Sequence, residues 1–269
     1  MELQAPVSSV ISCGIFADSA MLRVLLHGDW HADSRDGSFL FSEEALYFGP
    51  QSKRMPVSVR GGFASVGMAL RPGSNRVLGG PSTPDVVDRI IPYEGLGWNQ
   101  QALMARFDPT ASVEEWMVEL ENCMELLVRQ SGGTEPDATT AGFHHLALSD
   151  PNITVSDASD LLGVDKRKLE RVVKRDFGLT PKQVLRRARA LDMAAHLRGV
   201  ADIEEAQELV LRYFDQSHLS RDFTTMFGMT PLQFVRTPQP LLTITLESRQ
   251  ARRLEELERI GPGDRRPWQ

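Results

Sequence analysis

Residues 169–186 read LERVVKRDFGLTPKQVLR and residues 219–236 read LSRDFTTMFGMTPLQFVR. At one offset of 50 the two stretches share Leu169/Leu219, Arg171/Arg221, Phe177/Phe227, Gly178/Gly228, Thr180/Thr230, Pro181/Pro231, Gln183/Gln233 and Arg186/Arg236, eight identities in eighteen positions. Val173/Phe223 adds an apolar match, and Ile153/Ile203 and Asp165/Asp215 extend the register upstream. In each copy the glycine can take the positive φ that ends a helix, while the threonine caps the next helix and the proline takes its first position. Each copy therefore predicts a short helix, a tight turn and a second helix, closed by Phe-Gly-x-Thr-Pro.

In copy one, Ser156 to Leu162 forms the support helix, Gly163 the turn, and Asp165 caps a helix running to Phe177. At 100° per residue, Leu169, Val172, Val173 and Phe177 point inward, and Arg167, Arg171, Lys174 and Arg175 point outward together. Four cations on one face suit a DNA major groove: arginine reads guanine through two hydrogen bonds, and either cation neutralises phosphate and releases counterions. A basic face alone is more often a solvated one, steadied by acids such as Glu170; the turn and the repeat shift the reading to DNA. In copy two the outward positions are Ser217, Arg221, Thr224 and Thr225, with Gln216, His218 and Ser220 near the helix start. That face is polar but far less charged, so copy one is expected to supply more of the salt-dependent affinity. Between the copies, Pro181 to Leu197 predicts a helical strut about 24 Å long. Such a strut can hold two reading helices near one DNA turn, roughly 34 Å, apart.

With 269 residues the chain is about twice the usual length of one domain, which predicts two domains, each with its own core. Hydrophobic residues make up 41% and charged residues 25%, ordinary globular values, and no apolar run approaches the roughly 20 residues of a membrane span. The N-terminus lacks the pattern of a signal peptide, so a cytoplasmic protein is expected. Cys13 and Cys123 stand far apart without metal-ligand spacing, which favours two small buried hydrophobes over a bridge or a reactive thiol. The net charge of −6 divides unevenly: residues 1–150 hold 10 Lys/Arg against 19 Asp/Glu, residues 151–236 hold 14 against 12, and residues 237–269 hold 6 against 5. The acid excess is all N-terminal, as for an acidic module joined to one whose charge serves another purpose.

Short strands are predicted at Ser9 to Phe16, Leu22 to His27, Ser38 to Phe48, Val57 to Arg60 and Phe63 to Leu70, with turns at residues 32–37 and 60–62, the spacing of a small antiparallel sandwich or barrel. From Pro84 the period changes. Val113, Trp116, Met117, Leu120, Met124, Leu127 and Val128 then share one helical face, with Ser112 as its cap. Residues 131–137, SGGTEPD, read as a linker. The expected fold class is α+β. Residues 1–130 form a small β-barrel domain with helices, residues 131–150 a linker, residues 151–237 an all-α domain with two helix-turn-helix motifs, and residues 238–269 a tail. Within the tail Glu247 to Ile260 can be helical, and the last nine residues are expected to be disordered.

The string Asp215-Gln216-Ser217-His218-Leu219-Ser220-Arg221-Asp222-Phe223, followed by Phe227-Gly228-Met229-Thr230-Pro231, resembles the AraC/XylS family of bacterial transcription regulators; the match runs from Ile153 to Arg236. The resemblance implies a seven-helix DNA-binding domain in which outward residues near the start of each reading helix contact bases. Those are Arg167, Glu170 and Arg171 in copy one and Gln216, Ser217, His218, Ser220 and Arg221 in copy two. The sequence departs from the family where Arg212 precedes Tyr213 in place of the usual glycine, and where Gln207 and Glu208 enter the support helix Ile203 to Leu211. Leu46 to Gln51 and Val66 to Gly73 resemble, more loosely, the cupin-like domains that precede this module. That likeness implies effector sensing or dimer formation and names no ligand.

The expected function is sequence-specific regulation of transcription, with no enzymatic activity and no cofactor. The DNA-contacting set is Arg167, Glu170, Arg171, Lys174, Arg175, Gln216, Ser217, His218, Ser220 and Arg221. Candidate partners are double-stranded promoter DNA, a small-molecule effector, RNA polymerase if the protein activates, and a second copy of the chain; no membrane is expected. One alternative is a metal-dependent cupin enzyme with a DNA-binding appendage, using His27 and His31, although a metal site needs three or four ligands and no others stand out. The other is an interaction module that has lost DNA binding, suggested by the acidic net charge and Arg212. His144 and His145 are expected to be exposed beside the linker. No phosphate loop or nucleophile elbow gives catalysis support.

Overall fold

The computed structural model describes residues 1–95, 98–201, 217–261 and 263–268. Residues rich in β-branched and aromatic side chains build one antiparallel sheet from β1 (Glu2–Leu3), β2 (Val10–Ile15), β3 (Ala20–Ser34), β4 (Gly37–Phe41), β5 (Ala45–Phe48), β6 (Met55–Leu70) and β7 (Ile90–Pro92). β3 and β6 pair from Ala20/Leu70 to Ala32/Val57. β1 and β2 line the other side of β6, β4 and β5 the other side of β3, and β7 pairs with β5.

The turn expected at residues 60–62 is absorbed into a long strand, whereas the one expected at 32–37 closes the β3–β4 hairpin at Arg35 and Asp36. Val57 to Arg60 and Phe63 to Leu70 are parts of β6, and β3 continues through Ser34. The reason is that glycine serves here as a bend: Gly61 has φ +70° and Gly28 has φ +108°, and the register of β3 on β6 shifts on either side of His27. A Cβ on Gly28 would lie 2.7 Å from Cβ of Phe63, so the close approach also demands glycine.

Helices follow: α1 (Ser74–Val77), α2 (Thr83–Val86), α3 (Gln100–Met104), α4 (Val113–Gln130), α5 (Ala138–Ser149), α6 (Val155–Leu161), α7 (Lys166–Phe177), α8 (Pro181–Leu197), α9 (Ser217–Phe227), α10 (Pro231–Arg236) and α11 (Pro240–Glu256). Ser112 and Glu115 form a capping box at the start of α4. Its buried stripe is Trp116, Leu120, Cys123 and Leu127, narrower than the face expected, since Val113, Met117 and Val128 are exposed. That stripe meets Leu22, Val24, Leu26, Ala64 and Val66 on one face of the sheet. Cys13 and Cys123 are both buried and free.

The second half of the stretch read as linker is α5, capped by Asp137 and seated in the C-terminal module with Phe143 edge-on to Phe177, ring centres 5.6 Å apart. The stretch read as a tail contains α11, which begins at Pro240 and packs on β2, α8 and α5, while Trp268 leans partly buried on the same core.

The sheet with α4 has a core of its own and so, Val87 apart, has copy one of the helical part, but a further core is shared between the two. One cluster joins Cys13, Ile15, Phe16, Leu25, Trp30, Val57 and Val59 of the sheet to Leu191, Ala194, Phe223, Phe227, Phe234, Leu242 and Leu246 of the helices. The sheet's second face is apolar and takes its cover from α8, α9, α10 and α11, which explains why sequence halves with their own patterns share an interior.

An ionic cluster bolts the same junction. Buried Arg187 donates to the carbonyl oxygens of Gln51 (2.9 Å) and Asp18 (3.0 Å). Arg249 is also buried and reaches Asp18 at 2.9 Å and Asp192 at 2.5 Å, while Arg252 lies 3.5 Å from Asp18. Burial pushes the Asp18 carboxyl up, but Arg249, Arg252 and Arg187 together pull it well below the usual carboxylate range. Arg187 is lowered to about 10 by burial.

His144 on α5 is half-buried at this junction rather than exposed, unlike His145. Burial, aided by Arg252 and Arg71, lowers its pKa to about 4 against the opposing pull of Asp18 and Glu256. A folded pKa below the unfolded 6.5 means the unfolded chain binds the proton more tightly. The contribution is therefore present above pH ~6.5 and is lost as pH falls toward about 4, with a slope of at most ~1.4 kcal/mol per pH unit for one proton. Urea unfolding between pH 7 and pH 4.5 should show this loss, and His144→Gln should flatten it; parallel curves for the two proteins would contradict the assignment. No described helix is long and apolar enough to cross a membrane.

Candidate nucleic-acid interface

Copy one folds as its punctuation dictates. Thr154 caps α6, Gly163 turns at φ +63°, and Asp165 accepts from the Lys168 amide at 2.8 Å to start α7. Leu169, Val172, Val173 and Phe177 are buried. Gly178 ends the helix at φ +75°, and a side chain there would strike Val87, whose Cγ2 is 2.3 Å from an added Cβ. Thr180 and Gln183 then form a capping box at α8, as Thr230 and Gln233 do at α10. The repeated glutamine is thus the reciprocal half of a cap, a role available in the sequence from the Thr-x-x-Gln spacing.

The outward cations of α7 do not all stand in one environment. Arg167, Glu170, Arg171 and Lys174 are exposed. Lys174 Nζ turns back to donate to the Gly178 carbonyl at 2.9 Å. Arg175 is half-buried, held by Asp176 through Nε (2.8 Å) and Nη2 (2.6 Å), with Asp137 at 3.4 Å. Asp176 itself is buried and also accepts from the Thr140 hydroxyl, with Arg76 at 3.6 Å. These carboxylates raise the Arg175 pKa by hydrogen bonding and charge, so its guanidinium ties α7 to the start of α5. Helical projection placed Arg175 outward because it cannot see α5 arriving beside it. Conversely, Lys168, absent from the expected DNA-contacting set, is exposed one turn before Arg171, where three-residue spacing puts it on the same face.

In copy two, α9 buries Leu219, Phe223 and Phe227 and exposes Ser220, Arg221, Thr224 and Thr225. The hydroxyls of Thr224 and Thr225 donate to the carbonyls of Ser220 and Arg221, each at 2.8 Å, so toward DNA they offer acceptor oxygens. For Ser217 and His218 the backbone alone is described, and Gln216 lies outside the described residues. So do the support helix expected from Ile203 to Leu211 and the departure at Arg212.

The N-terminal module grips both reading helices at their C-terminal ends. Thr83 and Val87 meet Gly178 after α7; the Arg54 amide donates to the Met226 carbonyl at 2.7 Å, and Phe16 stands edge-on to Phe227 at 5.1 Å. Arg167 and Arg171 on α7 and Ser220 and Arg221 on α9 are all left exposed. Elsewhere, His27 is exposed and His31 lies 3.5 Å from Asp33. Among the described residues no group of three or more His, Cys, Asp or Glu could hold a metal ion.

Residues 158–237 match the family model described as a helix-turn-helix domain. No curated protein matches the chain. A 1.65 Å structure of ToxT from Vibrio cholerae aligns with TM-score 0.50 at 10% identity, covering 88% of this chain and 97% of that one. An apo ToxT variant from the same organism gives TM-score 0.49 at 11% identity, covering 88% and 96%. Wild-type V. cholerae ToxT bound to an unsaturated fatty acid gives 0.46 at 10%, covering 87% and 92%. At this identity the first of these speaks for the fold alone, a sheet-bearing N-terminal part followed by helices.

Proposed function

We infer that this chain, a DNA-binding regulator built on an AraC-type helix-turn-helix domain, reads promoter sequence with α7 and α9 laid into successive segments of one major groove. The observation that carries this reading is the placement of both helices: each is held at its C-terminal end and presents exposed polar or cationic residues from its earlier turns. The 17-residue strut α8 between them is about 26 Å long. Lys166, Arg167, Lys168, Arg171 and Lys174 make copy one the stronger phosphate binder, with Arg221 the exposed cation in the described part of α9.

The protein acts by binding rather than by catalysis, and the N-terminal module adjusts that binding. An open groove of about 640 Å3 between β6 and α4, lined by Met68, Met117, Leu120, Met124 and Val128 together with Glu121, Glu125 and Arg129, has the size and the mix of apolar wall and a few polar groups of a small-molecule site. Dimer formation through this module and contact with RNA polymerase belong to the same proposal.

Arg171→Ala tests the reading. Affinity for duplexes selected by the wild-type chain should fall by about 1–3 kcal/mol at fixed salt, with preference relaxed at one base. Unchanged affinity and unchanged preference would remove Arg171 as a reader.

A further inference from the structure

At the repeat offset Asp222 corresponds to Val172 and Arg186 to Arg236, yet the two copies use these positions differently. Val172 is buried in the apolar stripe of α7, and Arg236 is exposed. Asp222 faces the strut, where Arg186 Nε donates to its Oδ2 at 2.9 Å and Nη2 to its Oδ1 at 2.5 Å. The pair's mutual hydrogen bonding raises the Arg186 pKa.

We propose that the Arg186–Asp222 pair is a positioning element that sets the roll of α9 about its own axis, and with it the direction in which Arg221 meets DNA. This rests on the reading of α9 as a recognition helix. Among the described residues the other contacts on α9 are largely aromatic, apart from the Arg54–Met226 backbone bond at its C-terminal end: Phe223 stacks on Phe227 with centres 4.2 Å apart, and Phe234 stands edge-on to them at 5.3 and 5.2 Å. Ring packing keeps the helix against the core but tolerates small rotations, because apolar burial has little direction. A guanidinium fork closed on a carboxylate fixes an angle.

Asp222 occupies the position where this matters. Projected at 100° per residue, Leu219, Phe223 and Phe227 lie to one side of it, and Arg221, Thr224 and Thr225 to the other. Pinning that border residue to α8 orients the outward face to within the 10–20° that a preorganised site tolerates, on the order of what base-edge hydrogen bonds require. The pair is partly exposed, with side-chain accessibilities of 36% and 20%, so it adds little to stability. Copy one needs no such peg, since Arg175 already ties α7 to α5 through Asp176 and Asp137. Each reading helix therefore has its own ionic anchor, placed at a different position of the repeat.

The test uses duplexes selected from a random-sequence pool by the wild-type full chain, and versions with either half scrambled. Affinity and hydroxyl-radical footprints at fixed salt are compared for wild type, Asp222→Asn and Arg186→Lys, the latter keeping the charge and losing the fork. The expected result is about a tenfold loss on the intact duplex for both variants. Protection should weaken only over the half read by α9, binding to the α7 half should be unchanged, and melting should be close to wild type. Unaltered affinity and footprint, or an equal loss over both halves with lowered melting, would overturn the positioning role while leaving DNA reading in place. Failure of the wild-type chain to select any sequence would remove the DNA reading itself, and this proposal with it.

Discussion

Arg249→Ala is expected to lower the unfolding free energy by about 3–5 kcal/mol, read as a fall in the urea midpoint at unchanged slope. The side chain is 2% exposed and serves two carboxylates, Asp18 from the loop before β3 and Asp192 from α8. Its removal strands Asp192 at 3% exposure and takes from Asp18 the first of the cations that hold it ionised. The cost is mainly that of uncompensated buried charge, not of a lost contact. A change below about 1 kcal/mol would mean the cluster is solvated in solution like an ordinary surface pair.

Phe227→Ala should cost a comparable 3–5 kcal/mol, the usual penalty for emptying a buried aromatic site. The ring is 2% exposed, touches Phe223 and Phe234 within the helical module, and meets Phe16 of the sheet module. A local consequence separates this loss from general destabilisation. The Arg54 amide, bonded to the Met226 carbonyl across the junction, should exchange with solvent faster than amides at the centre of β3 and β6. Uniform acceleration across the sheet would show that Phe227 does not act as a hinge pin between the modules.

Much of the helical half could be read from the sequence because its signals are local. Asp165, Gly178, Thr180 and Pro181 each act within four residues of themselves, and the helix boundaries of α7 and α8 follow from them. The apolar stripe Leu169, Val172, Val173 and Phe177 follows from periodicity. What was hidden depends on partners far along the chain. Arg175 has the same helical phase as a DNA-facing cation, and what holds it back is Asp176, buried against Thr140 of α5, together with Asp137, 38 positions away. Arg187 has no local mark of burial, because the carbonyls that accept its hydrogen bonds, Gln51 and Asp18, lie 136 and 169 positions away. The antiparallel sheet is legible, but the length of β3 and β6 is hidden for the opposite reason. Gly28 and Gly61 carry a local signal, but a turn and a bulge use the same positive φ, and the pairing partner decides which it is.

The apolar cluster shared by β2, β3, β6 and helices α8 to α11 bears on how such a protein can be taken apart or recombined. A chain cut near residue 137 would leave Phe227, Phe234, Leu242 and Leu246 facing water on one fragment and Ile15, Phe16 and Val59 on the other. Neither fragment is a transplantable cassette. A chimera that exchanges one half inherits a mismatched seam unless the residues on both sides of that interior are exchanged together.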